Sequence, residues 1–453
     1  MTRRPTMHPD ARRSLLDSFG SGSPSPQAAE AGPLFRAPAF EELDDYRLIR
    51  TQRDFAETLG IDNPYYQEHT TGVGRHAQRG ASRLINFACY DYLGLNSHPE
   101  VLAAAAEAAE TWGISAGASR LTAGERPPHR ALEADLAALY GHEAALAFVS
   151  GHGTNISVIA ALTGPGDLVL HDAAAHNSII VGATAGGATR RAYPHNDLDA
   201  LERLLAQLRP TQRRTLIVTE GLFSMDGDSP DLRRLIEIKQ RYGAWLMLDE
   251  AHALGVLGAT GRGLAEAQGV ATDGIDIIMG TLSKTLCACG GYVVGSAALI
   301  DLLRYRAPGM VYSVGLSPVL AAAARSALHI MLRQPQRVAR LAALSHHFAS
   351  AARAAGLDLG TASNAAVQPV IVGDSLTALV LGDRLAKRGI LAVPIIPPGV
   401  PDNTARLRFF ISHLHTETDI DQAIAATAEE LNALPGESTT LAAVVSGLMQ
   451  AKP

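Results

Sequence analysis

From Ala144 onward, apolar runs of strand length alternate with amphipathic stretches of helix length. The runs are Ala144 to Val149, Asp167 to His171, Thr215 to Thr219, Trp245 to Leu248, Ile275 to Met279 and Tyr292 to Gly295. Between them, apolar residues at helical spacing mark Arg130 to Tyr140, Gly153 to Leu162, Leu198 to Leu208 and Asp231 to Tyr242. Strands separated by helices predict an α/β fold with a mostly parallel central sheet and helices on both faces. Upstream, the charged stretch Glu41 to Leu59 predicts a surface helix stopped by Gly60, Leu84 to Phe87 a short strand, Tyr90 to Gly94 a turn, and Pro99 to Trp112 a helix. Downstream, a long helix from Pro318 to Leu332 leads into a smaller α+β lobe containing Val367 to Val372, a helix near Leu376 to Lys387, and Leu407 to Ile411.

These patterns divide the chain into a tail over 1–32, an arm and helix over 33–95, a large domain over 96–335, a small domain over 336–435 and a C-terminal tail over 436–453. The first tail holds Gly-Ser-Gly-Ser-Pro-Ser-Pro at Gly20 to Pro26 and predicts disorder, because such a composition cannot repay its ordering entropy. A length of 453 residues allows up to about three domains. An apolar share of 47% and a charged share of 19% fit an ordinary globular chain, and a net charge of −6 without a basic block argues against a nucleic-acid partner. Three cysteines, Cys89, Cys287 and Cys289, make no disulfide framework and have no companions at zinc spacing. No apolar run reaches the roughly 18 residues of a membrane span, so the expected location is the cytoplasm.

In sheets of this kind ligands lie beyond the carboxyl ends of the strands, so chemistry is sought in the residues that follow each run. After Val149 a Ser-Gly-His-Gly turn enters a helix, and Gly151 and His152 stand where free backbone N–H groups can hold a phosphate. After His171, His176 opens a helix, either as a cap or as a flat ring over an aromatic ligand. After Thr219, Ser224 offers a hydroxyl before an Asp-Gly turn, or serves that turn alone. The apolar run from Trp245 ends in Asp249, followed by Glu250 and His252. A carboxylate on such a strand is costly unless it meets a cation or strong donor, such as a protonated ring nitrogen; the other reading is a helix cap.

Arginine supplies nearly all the positive charge, and the only lysines are Lys239, Lys284, Lys387 and Lys452. Lys284 alone sits among small residues between two strand-like runs, in Thr281-Leu-Ser-Lys284. Desolvation lowers a lysine's pKa and makes it a nucleophile for an aldehyde. A phosphate site, an aldehyde acceptor, a partner for a ring nitrogen and a flat face together describe pyridoxal 5′-phosphate.

The chain also resembles the α-oxoamine synthases, fold type I pyridoxal-phosphate enzymes, from about Asn86 to Ile420. The resemblance is carried by Asp91-Tyr-Leu-Gly-Leu, Ala118-Ser-Arg-Leu-Thr-Ala-Gly124, Glu220-Gly-Leu-Phe-Ser-Met-Asp-Gly-Asp228, Asp249-Glu-Ala-His252, Thr281-Leu-Ser-Lys284 and Ala405-Arg-Leu-Arg408. It implies that Lys284 holds the cofactor, Asp249 its ring nitrogen, His252 and Ser224 its phenolic side, and that His176 stacks on the ring. It places Gly151, His152 and Thr281 at the phosphate, and Arg408 on the amino-acid carboxylate. Ser119 and Ala253 are expected on the amino-acid side, with Asp91 also toward substrate. A homodimer with shared active sites is implied, in which Tyr312 and Ser313 reach the partner's phosphate. His152 stands where the family often has an aromatic residue, and Asp91 where an Asn is frequent. The turn from Val149 to Asn155 and the run Arg406 to Glu417 look closer to members beside polyketide assembly lines, and to serine palmitoyltransferase, than to the biotin-pathway enzyme.

The implied reaction is a decarboxylative condensation of a small amino acid with an acyl thioester, from acyl-CoA or an acyl-carrier protein, giving an α-amino ketone. Two alternatives stay open: another pyridoxal-phosphate reaction such as transamination or retro-aldol cleavage, and a non-catalytic partner subunit. Retention of Lys284, Asp249, His252 and Arg408 counts against the second.

Overall fold

The computed structural model describes residues 36–58 and 60–450, with side chains through Leu434 apart from Gln52 and Phe55. The tail expected over 1–32 lies outside the described residues. The chain parts into two compact units between Gly60 and Ile61. In the first, a single 3-10 turn at Phe40–Glu42 precedes the helix Asp44–Thr58, whose first turn carries Asp44 and Asp45 toward the positive end of its dipole.

The described residues of the second unit carry thirteen strands: β1 (His76–Arg79), β2 (Ser82–Asn86), β3 (Ala144–Phe148), β4 (Leu168–Asp172), β5 (Thr189–Tyr193), β6 (Thr215–Glu220), β7 (Trp245–Asp249), β8 (Ile277–Thr281), β9 (Gly291–Gly295), β10 (Val367–Gly373), β11 (Ile390–Leu391), β12 (Val393–Ile395) and β13 (Ala405–Phe410). Seven of them form the central sheet in the order β3-β9-β8-β7-β6-β4-β5. Neighbours from β5 to β8 are parallel, and β9 runs antiparallel to both β3 and β8. The reversal follows from chain length: the loop from Leu282 to Gly290 is too short for the crossover that a parallel pair needs, so β8 and β9 close as a hairpin around Lys284.

Helices start and stop where short polar residues and glycine permit. Asp197 accepts from the Ala200 N–H at 2.8 Å to open Leu198–Leu208, and Asp231 accepts from Arg234 at 3.0 Å to open Leu232–Tyr242. That second helix ends on Gly243 at φ 57°, in the left-handed region. The core of the large sheet joins Leu146, Val169, Leu216, Val218, Met247, Ile277 and Val293 to Val158, Ile159 and Ile179 on the helices, all buried. Burial of each such side chain contributes about 1.5 to 3 kcal/mol.

A smaller C-terminal sheet is antiparallel, in the order β10-β13-β12. A third sheet, β1-β2-β11, pairs residues on either side of the large sheet in sequence, with Ile85 opposite Ile390. The register of the large sheet sets Glu220 opposite Asp249 and Asp249 opposite Met279, so β6 and β7 end abreast and β8 runs two residues further, to Thr281. Among the described residues no helix is long and apolar enough to cross a membrane.

Candidate active site

Those strand ends form the floor of a cavity of about 260 Å³, lined among others by Gly151, His152, Asn155, His176, Glu220, Asp249, His252, Thr281 and Lys284. Residues from five strand ends or the loops after them therefore converge, although they span 134 positions of the chain, from Gly151 to Lys284. At one end the helix Gly151–Leu162 points its N-terminus inward, capped by Ser150, whose hydroxyl accepts from the Gly153 N–H at 3.2 Å. Thr281 donates to the Gly290 carbonyl at 3.0 Å and meets the Ser283 hydroxyl at 2.8 Å, bringing two hydroxyls beside that N-terminus. Gly151 is required here, because a Cβ on it would lie 2.7 Å from Thr281 Oγ1. Helix N–H groups, a favourable dipole and hydroxyls suit a phosphate.

Asp249 is buried at the end of β7, and both its oxygens are engaged: Oδ1 accepts from Ala251 N–H at 2.9 Å and Oδ2 from Asn155 Nδ2 at 2.8 Å. It therefore does not act as a simple cap, and it stands within the cavity lining as a carboxylate with fixed orientation. His252 is buried, shares a 2.7 Å hydrogen bond through Nδ1 with the Tyr92 hydroxyl, and lies parallel to Phe410 with centroids 6.0 Å apart. Burial, with Lys284 and Arg408 nearby, holds its pKa well below the usual value, so it is neutral near pH 7. His176 caps the helix Asn177–Gly186 and lines the cavity, its ring set edge-on to that of His152 with centroids 6.0 Å apart.

Lys284 is half-buried in the β8–β9 loop, with its amine 5.7 Å from the centre of the Tyr90 ring. Burial lowers its pKa to about 8 against the opposing pull of Asp249 and Glu220. Among the described residues no carboxylate comes within ion-pair distance of it. Lys239 is held 2.8 Å from Asp276 and Lys387 2.6 Å from Asp383. Glu220 is buried, accepts from the His176 N–H at 2.6 Å, and is pushed up to about 8 by burial and then by Asp249.

Arg406 and Arg408 both lie on β13 and both are buried. Arg406 is satisfied: it pairs with Asp226 at 2.7 Å and donates to the Met225 carbonyl at 2.9 Å. Arg408 donates to the Ser224 carbonyl at 2.9 Å and makes a long 3.4 Å contact with the Tyr90 hydroxyl, while its Nε is buried without a partner. Ser224 thus meets Arg408 through its backbone, and its side chain is not in the cavity lining. Asp91 spends its oxygens on the Leu95 and Asn96 N–H groups at 2.8 and 3.2 Å, which holds the turn after Tyr90. Ser119 donates to the Val311 carbonyl at 2.8 Å, Ala253 is fully buried, and neither lines the cavity. Ser313 is also outside that lining, next to Tyr312, which is 88% exposed.

Asn155, Tyr92 and Glu220 were not singled out by sequence reasoning. Asn155 carried a signal: a polar residue on a helix face whose other members, Val158, Ile159 and Leu162, are apolar. Tyr92 and Glu220 stood inside quoted motifs with nothing to separate them from their neighbours.

The profile of aminotransferases of class I and II matches residues 82–426. The 8-amino-7-oxononanoate synthase of Methylobacterium nodulans is 44% identical over 360 residues, which cover 80% of this chain and 90% of the relative. That of Anaeromyxobacter sp. (strain K) is 44% identical over 362 residues, with the same coverage. Among solved structures, serine palmitoyltransferase from Sphingomonas wittichii superposes with a TM-score of 0.82 at 28% identity, covering 86% of this chain and 98% of the other. The 8-amino-7-oxononanoate synthase of Francisella tularensis does so at 0.68 and 25%, covering 77% and 98%. In architecture the protein is a fold type I pyridoxal-phosphate transferase. The chain belongs to the aminotransferase class I and II family and, within it, to the α-oxoamine synthases. The expected leaning away from the biotin-pathway enzyme is not seen in sequence, where 8-amino-7-oxononanoate synthases reach 44% identity and the superposed serine palmitoyltransferase 28%.

Proposed function

We propose that this chain catalyses the pyridoxal-phosphate-dependent, decarboxylative condensation of a small amino acid with an acyl thioester, releasing carbon dioxide and a thiol and leaving an α-amino ketone. One observation carries the assignment of residues: a lysine without an ion pair, a doubly hydrogen-bonded aspartate and a helix N-terminus face one cavity. The cavity suits the cofactor, with hydroxyls and free N–H groups at one end, a carboxylate at the floor and an amine opposite. Pyridoxal phosphate, when bound, takes up the electron pair freed at the substrate's α-carbon.

The residues divide the remaining work. Lys284, whose pKa burial lowers to about 8, takes the α-proton in its neutral form. Asp249, oriented by Asn155 and Ala251, would hold the cofactor's ring nitrogen in its protonated form. His176 would lie against the cofactor ring and His252 on its phenolic side, and Gly151, His152 and Thr281 would hold the phosphate. Arg408 grips the amino-acid carboxylate with the edge that carries its unpartnered Nε. Asp91 and Ser119 act at one remove, by holding the loops they cap.

The acyl donor is an acyl-CoA or an acyl-carrier protein, and the working form is a homodimer in the cytoplasm. Support for the dimer is the exposure of Ile114, Leu121, Tyr305, Tyr312 and Val314, with Ser313 amid them as the group that reaches the partner's phosphate. Three free thiols fit a reducing compartment. The test incubates the cofactor-loaded protein with glycine, alanine or serine and an acyl-CoA. Matched release of carbon dioxide and thiol supports the assignment, whereas a keto acid without thiol release marks transamination.

A further inference from the structure

Beneath the cavity runs a chain of hydrogen bonds whose direction can be worked out by counting protons. Asn155 and Ser178 are almost wholly buried, one on the helix after β3 and the other on the helix after β4. Asn155 Nδ2 lies 2.8 Å from Asp249 Oδ2 and 2.9 Å from Ser178 Oγ. Ser178 Oγ lies 2.8 Å from His176 Nδ1. The Ser178 backbone N–H reaches the same Nδ1 at 3.3 Å.

The carboxylate has no proton to give, so Asn155 must present its NH2 group to it, and the reversed amide would set two acceptors face to face. That choice leaves Asn155 Oδ1 buried without a partner. The second amide hydrogen goes to Ser178 Oγ, which then has its own proton to donate and His176 Nδ1 to receive it. With the Ser178 N–H aimed at that nitrogen too, Nδ1 has to offer a lone pair. Partial desolvation of the ring lowers the pKa of His176, which agrees with a neutral ring. No described residue hydrogen-bonds Nε2, so that N–H is left for a ligand.

We propose that Asn155 and Ser178 are positioning residues that lock His176 in the tautomer with its proton on Nε2 and couple that ring to the Asp249 carboxylate. The coupling to the cofactor rests on the reading of His176 and Asp249 given above; the tautomer does not. His176 is thereby a hydrogen-bond donor toward the cavity and cannot serve as a base through Nδ1.

The test uses the full chain, cofactor-loaded and cofactor-stripped, with 15N-labelled histidine and two-bond 15N–1H correlation spectra; the spectrum of His176→Gln identifies the ring. The expected result is an unprotonated Nδ1 and a protonated Nε2 in both forms. Ser178→Ala and Asn155→Leu should each raise the share of the other tautomer, since the long 3.3 Å Ser178 N–H contact alone opposes it in the first and the Ser178 hydroxyl is free to turn in the second, and Ser178→Thr, which restores the hydroxyl, should return it. Cofactor titration in parallel should show at least a severalfold loss for Asn155→Leu and less than a twofold change for Ser178→Ala. A wild-type ring protonated on Nδ1, or a tautomer unmoved in both variants, overturns the proposal. A moved tautomer with cofactor affinity unchanged in both variants upholds the lock and overturns the coupling through Asp249.

Discussion

Replacing Arg408 by lysine keeps the charge and removes the fork, and the structure sets the expected loss. Of the five guanidinium N–H groups, those of Nη1 go to the Ser224 carbonyl at 2.9 Å and the Met225 sulfur at 3.3 Å, and the Nη2 contact with Tyr90 is long, at 3.4 Å. The Nε–H has no partner, and among the described residues no carboxylate reaches Arg408. Nε–H and one Nη2–H share an edge of the guanidinium, so a substrate carboxylate can be taken by two parallel bonds there. Lysine offers a point charge in place of that edge. Loss of one charge-assisted bond costs roughly 1.5 to 3 kcal/mol, or about a ten- to hundredfold weaker hold on the amino acid. Arg406→Lys is the control, since its guanidinium is already committed to Asp226 and Met225. Amino-acid titration of the cofactor-loaded protein, followed by the change in cofactor absorbance, gives the dissociation constants. The reasoning fails if Arg408→Lys leaves that constant unchanged, or if Arg406→Lys raises it as much.

Borohydride reduction of the loaded protein followed by peptide mapping should label Lys284 and spare Lys239 and Lys387, whose amines are ion-paired. In the cofactor-stripped protein, arylation of Lys284 should follow its neutral fraction, rising with pH through a midpoint near 8. Because Glu220 raises that pKa, Glu220→Gln should move the midpoint to lower pH, and a shift upward would refute the assigned sign. Asp249→Asn should retain the fold, measured by circular dichroism, while exchange of the substrate α-proton in deuterated water falls by at least a hundredfold, since an amide cannot keep a ring nitrogen protonated; wild-type exchange would remove Asp249 from the chemistry. Gly151→Ala should weaken cofactor binding, because the added methyl falls 2.7 Å from Thr281 Oγ1, with thermal stability as the check that the fold persists.

The strands that carry the site were legible because they are buried on both faces, and an apolar run bounded by polar residues needs no partner to be recognised. All six expected strands of the large sheet are present, with ends shifted by one or two residues. β5 was not anticipated, since Thr189-Arg-Arg-Ala-Tyr193 is a sheet edge and its exposed arginines break the apolar pattern. The short strands β1, β11 and β12 likewise lack a pattern of their own: β11 has only two residues and exists because Ile390 and Leu391 pair with β2.

Functional polar residues divide along the same line. Lys284 and Asp249 are conspicuous as exceptions to an apolar or lysine-poor background, whereas Asn155 and Tyr92 are defined by partners 94 and 160 positions away. The two arginines of β13 show what that distance hides. Side-chain alternation puts Arg406 and Arg408 on one face, and a solvent-facing pair would satisfy the sequence equally well. Both are in fact buried, and only the position of Asp226, brought up by the loop after β6, neutralises one and leaves the other with neutral partners alone among the described residues. A buried guanidinium with an unpaired N–H is costly in the free protein, and burial lowers its pKa, so an anionic substrate group repays that cost when it binds. The selectivity for a carboxylate thus resides in which arginine lacks an acid, a property of the folded loop and not of the strand that bears the charge.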